Sequence, residues 1–259
     1  NGKSLDNSYT TGDDGFVIKY DNAGELIYCK SIGGTKNDQI SQIKADSNGG
    51  YAVVGSFKSS IINLEDNYMQ NPNTKKNNGF FIKYAENGEC EYLKSIQGES
   101  EDDIVAVDES ENGDYLIGCN FDSSTINLGN SMSVSNIGNY DVLVMELNPN
   151  EMPNPIATNL QGVYGERITS INSVEKTSDG GYIIGAQLSA GNINFGNDVY
   201  INSTSHSIRG AIIKYNSEGK CEWAKDMQES IHSYIQKVIE TQDGGYIAIG
   251  GYDYNRVVR

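Results

Sequence analysis

The stretch DGFVIKYDNAGELIYCKSIGGTKNDQISQIKADSNGGYAVVGSF, residues 14–57, returns in altered form three more times along the chain. Residues 78–121 read NGFFIKYAENGECEYLKSIQGESEDDIVAVDESENGDYLIGCNF, and residues 209–252 read RGAIIKYNSEGKCEWAKDMQESIHSYIQKVIETQDGGYIAIGGY. A weaker copy runs from YDVLVMELNPNEMPNP (140–155) to VYGERITSINSVEKTSDGGYIIGAQL (163–188). Tyr51, Tyr115, Tyr182 and Tyr246 mark one phase, spaced 64, 67 and 64 residues apart. A fixed period of this kind is the first thing to look for in a sequence, since it signals stacked or radial units.

Each copy breaks into four strand-like runs. In the first, residues 16–20, 25–32, 40–45 and 51–57 are apolar or alternating, and Asn/Asp/Gly clusters separate them. Asp or Asn followed by Gly between such runs is a strong hairpin signal. Asp179-Gly180-Gly181 and Asp243-Gly244-Gly245 repeat it. No window shows a capped 3.6-residue period. Four short antiparallel strands per unit, four units long, predict an all-β fold, a β-propeller of four-stranded blades. Its repeats fall at about 14–77, 78–140, 141–208, and 209–259 joined by 1–13, in one domain over 1–259. Residues 40–45 are expected innermost and 25–32 outermost. The first residues then supply the outer half of a blade and the last ones the inner half. A closed four-bladed ring, an arc of a larger ring, and an eight-bladed ring shared by two chains all remain open. Gly55, Gly118, Gly185 and Gly250 are expected where sheets meet.

The composition fits and excludes. The 259 residues hold 29 Gly but only 4 Pro, as many turns with few kinks require. The formal net charge of −16 argues against nucleic acid and anionic membrane surfaces as partners. No apolar run is long enough for membrane insertion. Cys29, Cys90, Cys119 and Cys221 form no C-x-x-C pair, and His206 and His232 are the two histidines. That argues against a zinc site. Cys90 and Cys221 stand where Leu26 stands in the first copy and read as small core residues. The chain starts with Asn and reads as a piece of a longer protein, with other domains of the parent chain as neighbours.

Several motifs together resemble a known family. They are Ile193-Asn194-Phe195-Gly196-Asn197, residues 14–20, Gly219 to Trp223, Gly33-Gly34 to Asp38, and Asp243 to Gly250. The chain is similar, over nearly its whole length, to the bacterial SBBP-like ("seven-bladed β-propeller") repeats of secreted and surface proteins. The resemblance implies an extracellular or cell-envelope location and a module without assigned activity. Residues 148–155 and Gln228-Glu229 depart from the pattern.

Chemistry-bearing candidates are few. Asp38, Asp102, Glu166 and Ser233 occupy an equivalent position just before the innermost strand. With His232, which replaces Asn37 in a rim loop, they form the candidate ligand-binding set. Oxygen-rich clusters suit Ca²⁺ or a cationic ligand, while the plainer reading makes each carboxylate a turn cap. Asp46-Ser47-Asn48-Gly49 and Asp13-Asp14-Gly15 echo calcium loops but read better as hairpin turns. Nucleophile elbows and phosphate loops are absent. Tyr28, Tyr92 and Trp223 are equivalent, either stacking platforms or packing between blades. The long loops 58–78, 122–139 and 188–209 are polar apart from Ile62-Asn63-Leu64, Ile126-Asn127-Leu128 and Ile193-Asn194-Phe195. Those triplets are expected to tuck against the blade. The functional expectation is a non-catalytic binding or scaffolding module with a glycan or protein ligand. The alternative is a glycoside hydrolase using rim carboxylates, which needs two of them ~5–10 Å apart.

Overall fold

A computed structural model describes residues 12–110, 113–129, 131–136, 141–149, 154–158, 168–189, 191–203, 208–227 and 232–252. Among the described residues the chain is all-β, without a helix, and every sheet is antiparallel. No helix is long and apolar enough to cross a membrane.

Strands β1 (Gly15–Tyr20) and β2 (Leu26–Ile32) pair as a two-stranded sheet. The first four-stranded sheet follows, in the order β3 (Asp38–Ala45), β4 (Tyr51–Phe57), β7 (Asn78–Tyr84), β8 (Cys90–Ile96). Between β4 and β7 the chain makes a small hairpin, β5 (Ile61–Leu64) and β6 (Asn67–Gln70). The plan then repeats. The second sheet is β9 (Asp102–Glu109), β10 (Tyr115–Phe121), β13 (Asp141–Leu147), β14 (Asn154–Thr158), with the hairpin β11 (Thr125–Gly129) and β12 (Met132–Ser135) inserted. The third is β15 (Ile168–Lys176), β16 (Tyr182–Leu188), β19 (Arg209–Tyr215), β20 (Cys221–Asp226), with β17 (Gly191–Asn194) and β18 (Tyr200–Ser203) inserted. Strands β21 (Ser233–Glu240) and β22 (Tyr246–Tyr252) end it as a second two-stranded sheet. In chain order three four-stranded sheets thus lie between two two-stranded ones: β1 and β2 match the third and fourth strands of a complete sheet, and β21 and β22 its first and second.

The turns explain the repeated Asp-Gly-Gly. In residues 46–50 the Asp46 carboxylate accepts the N–H groups of Asn48 (2.9 Å) and Gly50 (2.8 Å). Gly49 adopts φ 84°, a left-handed conformation that costs glycine nothing. Gly50 serves differently: a Cβ there would lie 2.3 Å from the Tyr84 carbonyl oxygen, and at Gly181 2.2 Å from that of Tyr215. The third strand therefore passes directly over the second glycine.

The core lies between successive sheets. Ala52, Val54 and Phe81 of the first sheet pack with Ile104, Val107, Tyr115 and Ile117 of the second. Ala106, Leu116, Val142 and Val144 of the second pack with Ile171, Val174, Tyr182 and Ile184 of the third. Each inner strand sits beside the next, β3 by β9, β9 by β15, β15 by β21. Every residue of β4 is buried, which is why YAVVGSF reads as an unbroken apolar run rather than an alternating one. Gly118 and Gly185 lie where the sequence places sheet contacts: a Cβ would be 2.7 Å from Ile171 Cδ1 and 2.7 Å from Ile235 Cγ2, both on the next sheet. The apolar triplets of the long loops are buried too, at Ile62, Leu64, Ile126, Leu128, Ile193 and Phe195.

Candidate functional site

Four inner strands carry the same irregularity at the same place. The ladders skip Ser41 between Ile40 and Gln42, Val105 between Ile104 and Ala106, Asn172 between Ile171 and Ser173, and Gln236 between Ile235 and Lys237. Each skipped residue is a β-bulge, an extra residue that bends its strand and re-aims a side chain. One of the two residues facing each bulge is a glycine: Gly55 and Gly250 pair with the residue before it, Gly118 and Gly185 with the residue after it. All four bulged residues line one cleft of about 670 Å³, together with Gln39, Ile40, Gln42, Gln187, Tyr234 and Lys237. The lining is mostly uncharged amide and hydroxyl, with Tyr234 42% exposed. Lys237 pairs with Glu175 at 3.2 Å.

Hydrogen bonds between sheets hold these side chains. Gln42 Oε1 accepts the Val107 N–H (3.1 Å), and Asn172 Nδ2 donates to the Ile235 carbonyl (2.6 Å). Asn120 on β10 makes two bonds to Ile171, donating to its carbonyl (3.0 Å) and accepting its N–H (2.8 Å). Ser173 Oγ accepts the Val238 N–H (3.1 Å). At the other end of the inner strands a charged recess of about 480 Å³ is lined by Lys44, Asp108, Glu109, Glu146, Glu175 and Lys176, among others. Lys44 pairs with Asp108 (2.5 Å), Lys176 with Glu146 (2.5 Å) and Glu175 with Lys237, while Glu109 accepts the N–H (2.8 Å) and hydroxyl (2.9 Å) of Ser47.

Of the candidate set, Asp38 and Asp102 are engaged by hydrogen bonds with neighbouring loops. Asp38 is buried and accepts four bonds from its own sheet: Gly34 N (2.8 Å), Lys58 N (2.9 Å), Ser59 N (3.0 Å) and Ser59 Oγ (2.6 Å). Asp102, also buried, accepts Ser123 N (3.2 Å) and Ser123 Oγ (2.7 Å). These are the turn caps of the plainer reading. In the Asp102 sheet the Gly98 N–H goes instead to Asn78 Oδ1 (3.5 Å). With fewer donors, burial dominates and pushes the Asp102 carboxyl up to about 6, while the Ser123 bonds pull the other way. Ser233 Oγ accepts the Gly210 N–H (2.9 Å), again within the fold. His232 is exposed at the edge of the described segment. Glu166 lies outside the described residues. The ladder moreover puts Ile168, not Glu166, opposite Leu188, as Asp38 faces Phe57 and Asp102 faces Phe121. Among the described residues no group of three or more His, Cys, Asp or Glu side chains is placed to hold a metal ion.

The aromatic positions pack. The Tyr28 hydroxyl bonds that of Tyr51 (3.1 Å), Tyr92 meets Phe81 edge-on at 6.1 Å, and Trp223 lies 5.5 Å from Tyr246. All four cysteines are free thiols. Burial raises the thiols of Cys90 and Cys119 and pushes that of Cys221 up to about 12; Cys119 and Cys221 are buried, and Cys90 is half-buried. The bulged residues are what sequence reasoning missed. The recurring glycine on the facing strand was their only signal.

No protein-family model matches the chain. A stretch of 103 residues, 39% of the chain, is 27% identical to the regulatory protein FlaEY of Caulobacter vibrioides and spans 11% of that protein.

Proposed function

We propose that the chain is a non-catalytic binding module of β-propeller type whose ligand, a neutral glycan segment, sits in the cleft at the four bulges. The observation that carries this reading is the convergence of Ser41, Val105, Asn172 and Gln236 on one cleft. Its volume is within the ~300–1,000 Å³ usual for ligand pockets. Amide side chains offer donors and acceptors on one planar group, suited to sugar hydroxyls. Tyr234 supplies an apolar face with a polar tip. The buried sheets behind give the rigidity that lets a few side chains select a ligand. A protein loop of similar polarity is the competing ligand. The similarity to SBBP-like repeats belongs to this reading, and with it a place in a secreted or cell-surface bacterial protein.

The glycoside hydrolase alternative has less support. No carboxylate lines the cleft, and Asp38 and Asp102 each cap a loop of their own sheet.

A thermal-shift and calorimetric screen of neutral oligosaccharides tests the reading. A ligand at a hundredfold excess over Kd stabilises the folded chain by about 2.7 kcal/mol. The expected result is a shift with one sugar class that Gln236→Ala and Tyr234→Ala abolish. Binding untouched by both substitutions, or none to any sugar, would remove the cleft as the glycan site.

A further inference from the structure

The two half-sheets present matched, uncovered surfaces. Among the described residues strand β22 pairs only with β21, and β1 only with β2. In the complete sheets the equivalent strands β4 and β7 pair from Tyr51↔Tyr84 to Phe57↔Asn78, and β16 and β19 from Tyr182↔Tyr215 to Leu188↔Arg209. The same register applied to the halves sets Tyr246 opposite Tyr20, Ala248 opposite Ile18, and Gly250 opposite Phe16. Edges of this kind are templates for another strand.

The side chains match as well as the backbones. Tyr51 stacks on Tyr84 and Tyr182 on Tyr215, each pair with centroids 5.0 Å apart. Tyr20, 58% exposed, and Tyr246 hold the equivalent positions. Lys214 bonds Asp179 at 2.8 Å across β19 and the turn before β16. Lys19 and Asp243 are their counterparts. Asp179 also takes the Thr177 hydroxyl (2.6 Å) and the Gly181 N–H (2.9 Å). Asp243 repeats both, with Thr241 and Gly245. The exposed faces correspond too. Ile247 and Ile249, 56% and 59% exposed, stand where Ala52 and Val54 stand. Ala52 and Val54 cluster with Val107 of the next sheet. The equivalent of Val107 is Ile43, which is 52% exposed on the first sheet.

We propose that a second copy of this chain covers these surfaces: β22 of each copy pairs with β1 of the other, around a two-fold axis. Among the described residues β1 and β22 stay unjoined, and Ile43 and Ile249 both stay exposed, so those residues do not satisfy them. Two copies, each giving three complete sheets and sharing two composite ones, make a ring of eight, at the upper end of common propeller sizes. The interface is isologous, as closed dimers require. It also closes the cleft on the side between β3 and β21. The proposal rests on the radial arrangement of sheets proposed above and is independent of what the cleft binds.

Two measurements test it at 0.15 M salt, where the Debye length of ~8 Å mutes repulsion between acidic copies. Light scattering on the eluting 28.3 kDa chain should give about twice that mass. Ile249→Lys, at a position exposed in the single copy, should raise the dimer dissociation constant at least tenfold without unfolding the chain. Next, Ile18→Cys and Ala248→Cys chains are made separately and mixed under mild oxidation. Directly opposed strand residues lie ~4.5–5.5 Å apart at Cα, within disulfide reach. A reducible heterodimer on mixing is expected. Cross-linking only inside a doubly substituted monomer would overturn the dimer yet keep the ring, as intramolecular closure. A monomer mass with no cross-link in either arrangement would overturn both the dimer and the radial reading.

Discussion

Replacing Gly185 by Ala puts one methyl group into the seam between the third sheet and the final half-sheet. The new Cβ would lie 2.7 Å from Ile235 Cγ2 and 2.7 Å from Ser173 Oγ, whereas ordinary contact begins at 3.4 Å. Neither neighbour yields freely. Ile235 is buried in the cluster with Ile183 and Val238. Ser173 is also buried, and its hydroxyl accepts the Val238 N–H. Overpacking of this kind costs about 1–3 kcal/mol, and loss of the hydrogen bond adds roughly 1 kcal/mol. Relief of glycine's entropy in the unfolded chain returns about 0.5–1 kcal/mol. The net is a destabilisation of about 1–3.5 kcal/mol. At roughly 2–4 °C per kcal/mol for a chain near this size, Tm falls by about 2–14 °C. Urea titration followed by tryptophan fluorescence reads it directly, since Trp223 packs against the same cluster. Ser173→Ala in the Gly185→Ala background should recover part of the loss, because it removes one of the two clashes. Gly185→Ala at wild-type stability or above would refute the close face-to-face contact on which the sheet stacking rests.

Two further substitutions test other seams. Asn120→Leu removes both bonds to Ile171 and leaves a backbone donor and acceptor unmatched, so a loss of about 2–4 kcal/mol is expected in the same titration; a loss under ~0.5 kcal/mol would mean that the second and third sheets are not joined there. Asp102 gives a pH signature: the folded chain holds its proton more tightly than the unfolded chain does, so its contribution is fully present below pH 4 and disappears as the pH rises to about 6. Between those limits the wild type should lose up to about 3 kcal/mol relative to Asp102→Asn, measured as the pH dependence of urea stability; parallel pH profiles for the two proteins would contradict the raised carboxyl.

The strands and turns were legible because their signals are local. Asp-Gly-Gly turns need only the glycine at φ near 80° and the aspartate cap, both within five residues. The repeated apolar runs located every complete sheet and the two complementary halves. The capping by Asp38 and Asp102 was legible only in part, because most of the donors are not local: they come from a segment about 20 residues on, Ser59 or Ser123, and Gly34 alone is a nearby backbone donor to Asp38. Counting failed in the third repeat. Strand β15 carries two irregularities where the other inner strands carry one. The extra residue sets Ile168 opposite Leu188, 14 residues before Tyr182, where Asp38 and Asp102 stand 13 before Tyr51 and Tyr115; it does not account for the expectation at Glu166, which stands 16 before Tyr182 and lies outside the described residues. Nothing in the composition of that segment announces an added residue.

The cleft was illegible for a different physical reason. A bulge is a property of the pairing between two strands, not of the residue that bulges, so Ser41, Val105, Asn172 and Gln236 share no chemistry. What the fold holds constant is the bulge, with a glycine at one of its two facing positions: Gly55 and Gly250 face the residue before it, Gly118 and Gly185 the residue after it. At Gly55 and Gly250 a Cβ would lie 2.0 and 1.9 Å from the carbonyl oxygens of Gln39 and Tyr234 on the facing strand, while at Gly118 and Gly185 it would meet Ile171 and Ile235 of the next sheet. The bulged residue itself is left unpaired by the ladder. That separation makes the four positions suitable for recognition. The backbone brings them to one place whatever they are, and each can differ without disturbing the packing that puts it there. A search for repeated chemistry selects Asp38 and Asp102, which repeat because the sheet needs them. The recognition proposed for the cleft rests on the positions where placement repeats and chemistry does not.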